Sequence, residues 1–312
     1  MQRQSFVFDV VIAGGGPAGL SAALVLGRCR RRILLCDSGT PRNARSRSLN
    51  GYLTRDGIAP RDFLQIGRDE LARYGVQSRS VAVTDVAAHG DTFDVQLADG
   101  QRVQAVTVLL ATGVKDQLPD IPGLADCYGV SVHHCPYCDG WEHRDERIAV
   151  IAEHVSPAGL ALSLKTWSDR VTAFTNGGTV RRAQRERLAA HGIAIETRRI
   201  EQIEHDQGHV RAIRFRPSDG SPHHRIACEA IFFSSPQDQQ CELARRLGCE
   251  FTPKGTVRTD NLGRTCVSGI YVVGDASRDV QFVVVAAAEG AKAGVAINQV
   301  LQTRAGLTTE QR

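Results

Sequence analysis

Apolar residues run along this chain in short β-branched stretches that alternate with longer stretches of helical period, and glycine or proline marks most of the changes. The apolar run 10–13 breaks at Gly14, Gly15 and Gly16, a helical stretch follows from Pro17 to about residue 29, and a second run, 33–36, ends at Asp37. Strand, glycine turn, helix and strand make one βαβ unit. The pattern then predicts a helix over 60–74 and strands over 81–86, 93–97 and 103–110, with a turn at Ala98, Asp99 and Gly100. The last of these strands runs into Ala111, Thr112 and Gly113.

A second unit of the same kind begins with a strand over 147–151, continues as a helix over 158–167 and reaches a strand over 171–175. Strands are expected after Ile193 and Val210, and the apolar run 230–233 leads into Ser234, Ser235 and Pro236. A strand signal at 269–275 precedes a helix over about 282–301. This order predicts an α/β protein with two dinucleotide-binding domains, Rossmann-like and of three-layer ββα type, the second inserted in the first. The first is discontinuous, residues 1–115 and 240–312, and the inserted one spans residues 118–238, with short hinges near 113–119 and 236–241.

Composition removes several classes. A chain of 312 residues that is 42% hydrophobic is neither disordered nor fibrous. The net charge of +4 comes from scattered arginines, not a basic block, so nucleic acid is not an expected partner. The apolar run 6–13 is too short for a signal peptide, and no stretch approaches the roughly 20 residues that span a bilayer. A cytoplasmic protein without membrane contact is expected. Of nine cysteines, Cys29, Cys36, Cys127, Cys228, Cys241, Cys249 and Cys266 stand alone and are expected to be small buried residues, whereas Cys135 and Cys138 are spaced for joint chemistry.

Gly14, Gly16 and Gly19 occupy the GxGxxG positions between a strand and a helix. They permit a tight turn, close approach of a pyrophosphate to bare backbone, and close helix–strand packing. The phosphates then meet the positive end of the helix. Asp37, at the end of the next strand, is placed for ribose hydroxyls. A separate segment, GIYVVGDA, puts Asp275 at a strand end before a helix, and the pairing of two such segments points to FAD, with Asp275 on the ribityl chain.

The segment HHCPYCDGWEH admits several chemistries. Zinc could use the two cysteines with His133, His134 and His143, but structural sites commonly add a second CxxC or HxxxH, and none is evident. Haem attachment needs histidine where Asp139 stands. CPYC in a glutaredoxin follows the first strand of a small domain, and here it lies between two dinucleotide-type units. A redox dithiol in a flavoprotein remains. A CxxC at a helix N-terminus has a lowered thiol pKa, and Pro136 suits the first helical turn.

Together, GGGPAG, the ATG at 111–113, CxxCDG and GIYVVGDA followed by AAAEGAKA resemble low-molecular-weight thioredoxin reductase over essentially the whole chain. The resemblance implies that Cys138 faces the flavin, Cys135 exchanges with substrate and Asp139 manages protons. It also implies FAD contacts at Gly14, Gly16, Pro17, Ala18, Gly19, Asp37, Ser38, Asn50, Ala111, Thr112, Gly113, Gly274, Asp275, Phe282 and Val283, and a homodimer.

The chain departs from that family where NADPH would bind. After the strand at 149–151 come Ala152, Glu153, His154, Val155, Ser156 and Pro157 instead of a glycine turn. Glu153 facing a phosphate charge about 4 Å away would cost about 4 kcal/mol at an effective dielectric near 20, about a thousandfold in affinity. The next strand ends in Thr175, Asn176, Gly177 and Gly178 where arginines are expected, and Arg181 and Arg182 come a turn late. Phe282 stands where the reductases carry glutamine. With CPYC and LNGYLTRDGIAPRDFL, these features are similar to nicotinamide-independent relatives, the dithiol oxidases of gliotoxin-like and holomycin-like products and reductase-like proteins fed by ferredoxin or an unknown donor. The expected function is oxidation of a dithiol, either a small molecule or a thioredoxin-like protein, with electrons passing through FAD to oxygen or another acceptor. An NAD(P)H-dependent reductase and a flavin redox sensor are the alternatives, and no metal is expected.

Overall fold

A computed structural model of the chain describes residues 7–152, 157–217, 224–234, 236–277 and 280–307. The backbone divides into two units, one of Met1–Arg42, Arg61–Lys115 and Gln237–Arg312, the other of Asn43–Pro60 and Asp116–Pro236.

In the first unit the strand Val7–Ala13 lies between two parallel neighbours, with Val10 opposite Ile33 of Ile33–Cys36 on one side and opposite Thr107 of Arg102–Leu110 on the other. Its side chains alternate between faces. Val10 and Ile12 enter a core with Ala22 and Ala23 of the helix Pro17–Arg28 and Ala293 and Ile297 of the helix Val283–Arg304. Val11 and Ala13 enter another with Phe93, Val95 and Leu97. Burial on both faces explains why the strand reads as a continuous apolar run. The long strand Arg102–Leu110 is shared: its first half pairs antiparallel with Thr92–Leu97, which pairs with Val83–His89, and its second half pairs parallel with Ile270–Val272. Glycines bring the two helices together, since a Cβ on Gly290 would stand 2.0 Å from the Ala18 carbonyl oxygen.

In the second unit five parallel strands run in the order Ala194–Glu196, Val171–Phe174, Ile148–Ala152, Ala230–Ser234 and Val132–His133. Ile148 and Val150 face the helices Ala158–Leu164 and Arg182–Ala190 through Ala161, Leu164 and Leu188. Ala149 and Ile151 face an antiparallel sheet of Ile200–Asp206, His209–Phe215 and Arg225–Ala227 through Ile203, Ile213 and Ile226. Each unit is thus layered helix, parallel sheet, antiparallel sheet, the arrangement expected of two Rossmann-like domains.

Several expectations need correction. The segment 43–60, expected with the first unit, clusters with the second, because Arg45 donates to the Ala125 and Asp126 carbonyls at 2.7 and 3.3 Å. The strand expected over 81–86 is Val83–His89, drawn forward by pairing with Thr92–Leu97. The helix expected to reach residue 167 ends at Leu164. Gln77–Arg79, a polar edge strand beside Ile33–Cys36, was not expected. Glu153, His154, Val155, Ser156 and Ser235 lie outside the described residues. No described helix is long and apolar enough to cross a membrane.

Candidate active site

The glycine turn of the first unit has the shape of a phosphate cradle. Gly14 sits at φ +110°, and a Cβ there would lie 2.3 Å from the Ala111 carbonyl oxygen. A Cβ on Gly19 would lie 1.9 Å from the Gly14 carbonyl, so only glycine lets helix and turn approach this closely. Gly15, which the motif leaves free, must also be small, because a Cβ would meet the Asp37 carboxylate at 2.7 Å. At Gly16, the residue capping Pro17–Arg28, a Cβ would meet no atom within 4 Å. That open space lies in front of the N–H groups of Pro17–Arg28, where a pyrophosphate fits.

Around this cradle, Asp37 accepts from Arg68 at 2.9 Å and from the Gly39 N–H at 3.3 Å, and Ser38 lies beside it in a hydrogen bond with Thr40 at 2.9 Å. The Ala111 N–H donates to the Ala13 carbonyl at 2.8 Å, which holds the 111–113 turn against the glycine strand, and Gly113 has φ +72°. On the returning segment Gly274 has φ +73° and donates to Glu289 at 2.9 Å. Asp275 pairs with Arg42 at 2.9 Å, and Arg42 donates also to Gln281 at 2.6 Å. Phe282 caps the helix that begins at Val283. Arg42 was not legible as a site residue, because it follows the second strand in a turn without a motif. The open space at Gly16 and the two acidic strand ends fit FAD.

In the second unit Cys135 and Cys138 are joined in a disulfide, with Cα atoms 5.3 Å apart. Cys135 caps the single helical turn Pro136–Asp139, and the Cys138 and Asp139 N–H groups both reach the Cys135 carbonyl at 3.3 Å. A helix of one turn has only a fraction of the dipole of a long one, so the thiol acidity expected from a helix N-terminus loses most of its basis. Gly140 is required here, since a Cβ would stand 2.4 Å from the Pro136 carbonyl and 2.7 Å from the Trp167 ring. Asn50 donates to the Cys138 carbonyl at 3.0 Å. Of the residues expected at the cofactor, Asn50 alone belongs to this unit. Tyr137 and Trp141 flank the pair and are exposed, Tyr137 edge-on to Trp167 and Trp141 under Arg144.

Asp139 is 3.4 Å from His133 Nδ1. His133 Nε2 is 3.0 Å from His143 Nε2, and His143 Nδ1 is 2.7 Å from Glu146 Oε2. Burial, and then the neighbouring His133, push His143 below the ordinary imidazole range. His133 and His143 entered the sequence reading only as possible zinc ligands; among the described residues no group of three or more His, Cys, Asp or Glu is placed to hold a metal.

The other cysteines divide. Cys36, Cys127, Cys228 and Cys249 are buried, and burial pushes the Cys36 and Cys127 thiols up to about 11 and Cys228 to about 12. Cys29 and Cys266 are exposed and Cys241 is half-buried, contrary to the expectation that all seven are buried.

Comparison with known proteins agrees with this geometry. The family model of the pyridine nucleotide-disulphide oxidoreductases matches residues 8–290. The thioredoxin reductase tcpT of Claviceps purpurea is 32% identical, over 87% of this chain and 87% of its own length. Among solved structures, HlmI has a TM-score of 0.91 at 34% identity, covering 97% of this chain and 96% of its own. A putative thioredoxin reductase, TrxB, from Bacillus anthracis has a TM-score of 0.90 at 32% identity, covering 96% of this chain and 99% of its own. The chain belongs to the pyridine nucleotide-disulphide oxidoreductase family and is a thioredoxin reductase-like, FAD-binding oxidoreductase.

Proposed function

We propose that this protein oxidises a dithiol to a disulfide through Cys135 and Cys138, with electrons passing through FAD to oxygen or another acceptor and without normal NADPH binding. The observation that supports this most is the strand end after Val171–Phe174, where a 2′-phosphate would need cations. Asn176 stands there at φ 48°, and its side-chain carbonyl accepts the Ile200 N–H at 2.8 Å. Arg182 is paired with Glu186 at 2.7 Å, and Arg198 with Glu196. Two of the arginines near that strand end are thus already paired with carboxylates, and Glu153 adds a negative charge nearby in sequence.

In this reading Gly16, Pro17 and Ala18 hold the pyrophosphate, Asp37 the ribose hydroxyls and Asp275 the ribityl chain, with Ser38, 111–113, Gly274, Phe282 and Val283 completing the site. A substrate thiolate attacks Cys135 Sγ, the Cys135–Cys138 bond breaks, and Cys138 leaves as a thiolate. The second substrate thiolate attacks the substrate sulfur held on Cys135, closing the substrate disulfide and releasing the Cys135 thiolate. FAD, when bound, supplies the two-electron acceptor that lets the pair close again, so that with oxygen the sum is dithiol and O2 giving disulfide and H2O2. Asp139, next to Cys138, takes and returns the proton. The substrate is a small dithiol or a thioredoxin-like protein, and the enzyme works in the cytoplasm as a homodimer.

Oxygen uptake with dithiothreitol tests the reading. The wild type should consume one O2 for each disulfide made, and no uptake together with NADPH-driven reduction of thioredoxin would contradict it.

A further inference from the structure

We propose that His133, His143 and Glu146 form a proton relay that connects Asp139, and through it the cysteine pair, to solvent. The inference deepens the function above and rests on it only in taking Cys135 and Cys138 as the redox pair.

The four side chains form one line. Asp139 to His133 is 3.4 Å, His133 to His143 is 3.0 Å, and His143 to Glu146 is 2.7 Å. Their exposure is 19%, 7%, 13% and 37% in that order, so the line passes under the surface and emerges at Glu146. The scaffold holds it in place. His133 ends the edge strand Val132–His133, opposite Phe232, and the Phe232 ring packs against both imidazoles, at 5.5 and 6.2 Å. The His143 N–H donates to the Gly140 carbonyl at 3.3 Å, and Ser168 donates to the Glu146 carbonyl at 2.5 Å. The charged or titratable groups acting on His143 are His133, Glu146 and Asp139.

Hydrogen-bond chemistry gives the line a direction. A carboxylate only accepts, so Glu146 requires the proton of neutral His143 to sit on Nδ1. His143 Nε2 is then bare and accepts from His133 Nε2, which leaves His133 Nδ1 bare toward Asp139. The resting line therefore has one vacant proton position, on the Asp139 side. Burial and the second imidazole both oppose charging His143, which keeps the two rings from being protonated together.

The two half-reactions then balance without ring rotation. When the pair re-forms its disulfide it gives up two electrons to the acceptor and one proton, that of Cys138, because Cys135 is released as a thiolate. The Cys138 proton passes through Asp139 to His133 Nδ1, the His133 Nε2 proton moves to His143, the His143 Nδ1 proton moves to Glu146, and Glu146 releases it to water. When substrate next opens the disulfide, the same shifts run inward and protonate the Cys138 leaving group, restoring the first tautomers.

The test is anaerobic reduction of the Cys135–Cys138 disulfide by dithiothreitol, quenched and counted as free thiols, in the wild type, His143→Gln and His133→Gln, across pH 6–9 with and without added imidazole. Glutamine keeps a donor and an acceptor but cannot pass a proton. Both variants should retain FAD, react about tenfold or more slowly near neutrality, lose the limb of the pH profile that belongs to the imidazole, and recover with imidazole. A variant with the wild-type rate and profile overturns the relay. So does one that is slow at every pH and unmoved by imidazole, since that is a packing effect alone. Rapid flavin reduction by NADPH would refute the oxidase reading and leave these outcomes decisive for the relay.

Discussion

Asn50 donates its side-chain amide to the backbone carbonyl of Cys138 at 3.0 Å, linking the loop before Pro60 to the turn that carries the redox pair. Asn50→Ala should therefore leave FAD content near one per chain and loosen that turn, at a cost of about 1 kcal/mol for the lost hydrogen bond. Flavin absorbance and the reduction kinetics of the disulfide measure the two effects separately. Loss of FAD would show that Asn50 also contacts the cofactor, as the resemblance implies.

Gly16 faces open space while Gly19 faces the Gly14 carbonyl at 1.9 Å from a notional Cβ, so substitutions there should fail differently. Gly16→Glu should fold and purify colourless, since its side chain and charge enter the pyrophosphate space without meeting protein. Gly19→Ala should disturb the turn itself and lower the melting temperature of the apoprotein. A yellow Gly16→Glu protein with full FAD would contradict the cradle.

Cys135 and Cys138 should not be equivalent. Cys135→Ser and Cys138→Ser should both bind FAD and fail to turn over dithiol. Cys138→Ser, given the substrate in its oxidised disulfide form, should still form a mixed disulfide as the Cys135 thiolate attacks that disulfide and expels its other sulfur as a thiolate, detectable by mass. Full oxygen uptake by either variant would remove the pair from the reaction.

His143 should also make stability depend on pH. Its pKa is lowered in the folded protein, first by burial, so the unfolded chain takes up the proton more readily. The stability this contributes is fully present above the unfolded value near 6.5 and declines as pH falls through it toward the lower folded value. Melting temperatures between pH 7.5 and 5 should fall more steeply for the wild type than for His143→Gln; parallel curves would contradict the burial argument.

The glycine turn and the strand Ile33–Cys36 were legible to the residue, because continuous apolar runs bounded by glycine and aspartate leave one reading. The segment Asn43–Pro60 was not, because side-chain contacts distant in sequence, Arg45 to the Ala125 carbonyl and Asn50 to Cys138, decide where it belongs. Gln77–Arg79 joins its sheet through backbone pairing with mostly exposed side chains and so carries no apolar signal. The cysteine pair announces itself by spacing. The His133–His143–Glu146 line does not, since residues ten and three positions apart meet only because the edge strand and the 140–146 turn fold onto Phe232.

The central claim, a dithiol-driven flavoenzyme that does not depend on nicotinamide, is tested most directly by anaerobic titration of the yellow protein with NADPH and, separately, with dithiothreitol, following the flavin band. The account predicts prompt bleaching by dithiothreitol and little or none by NADPH over minutes. Bleaching by NADPH at roughly tens per second, an ordinary enzyme rate, would contradict it.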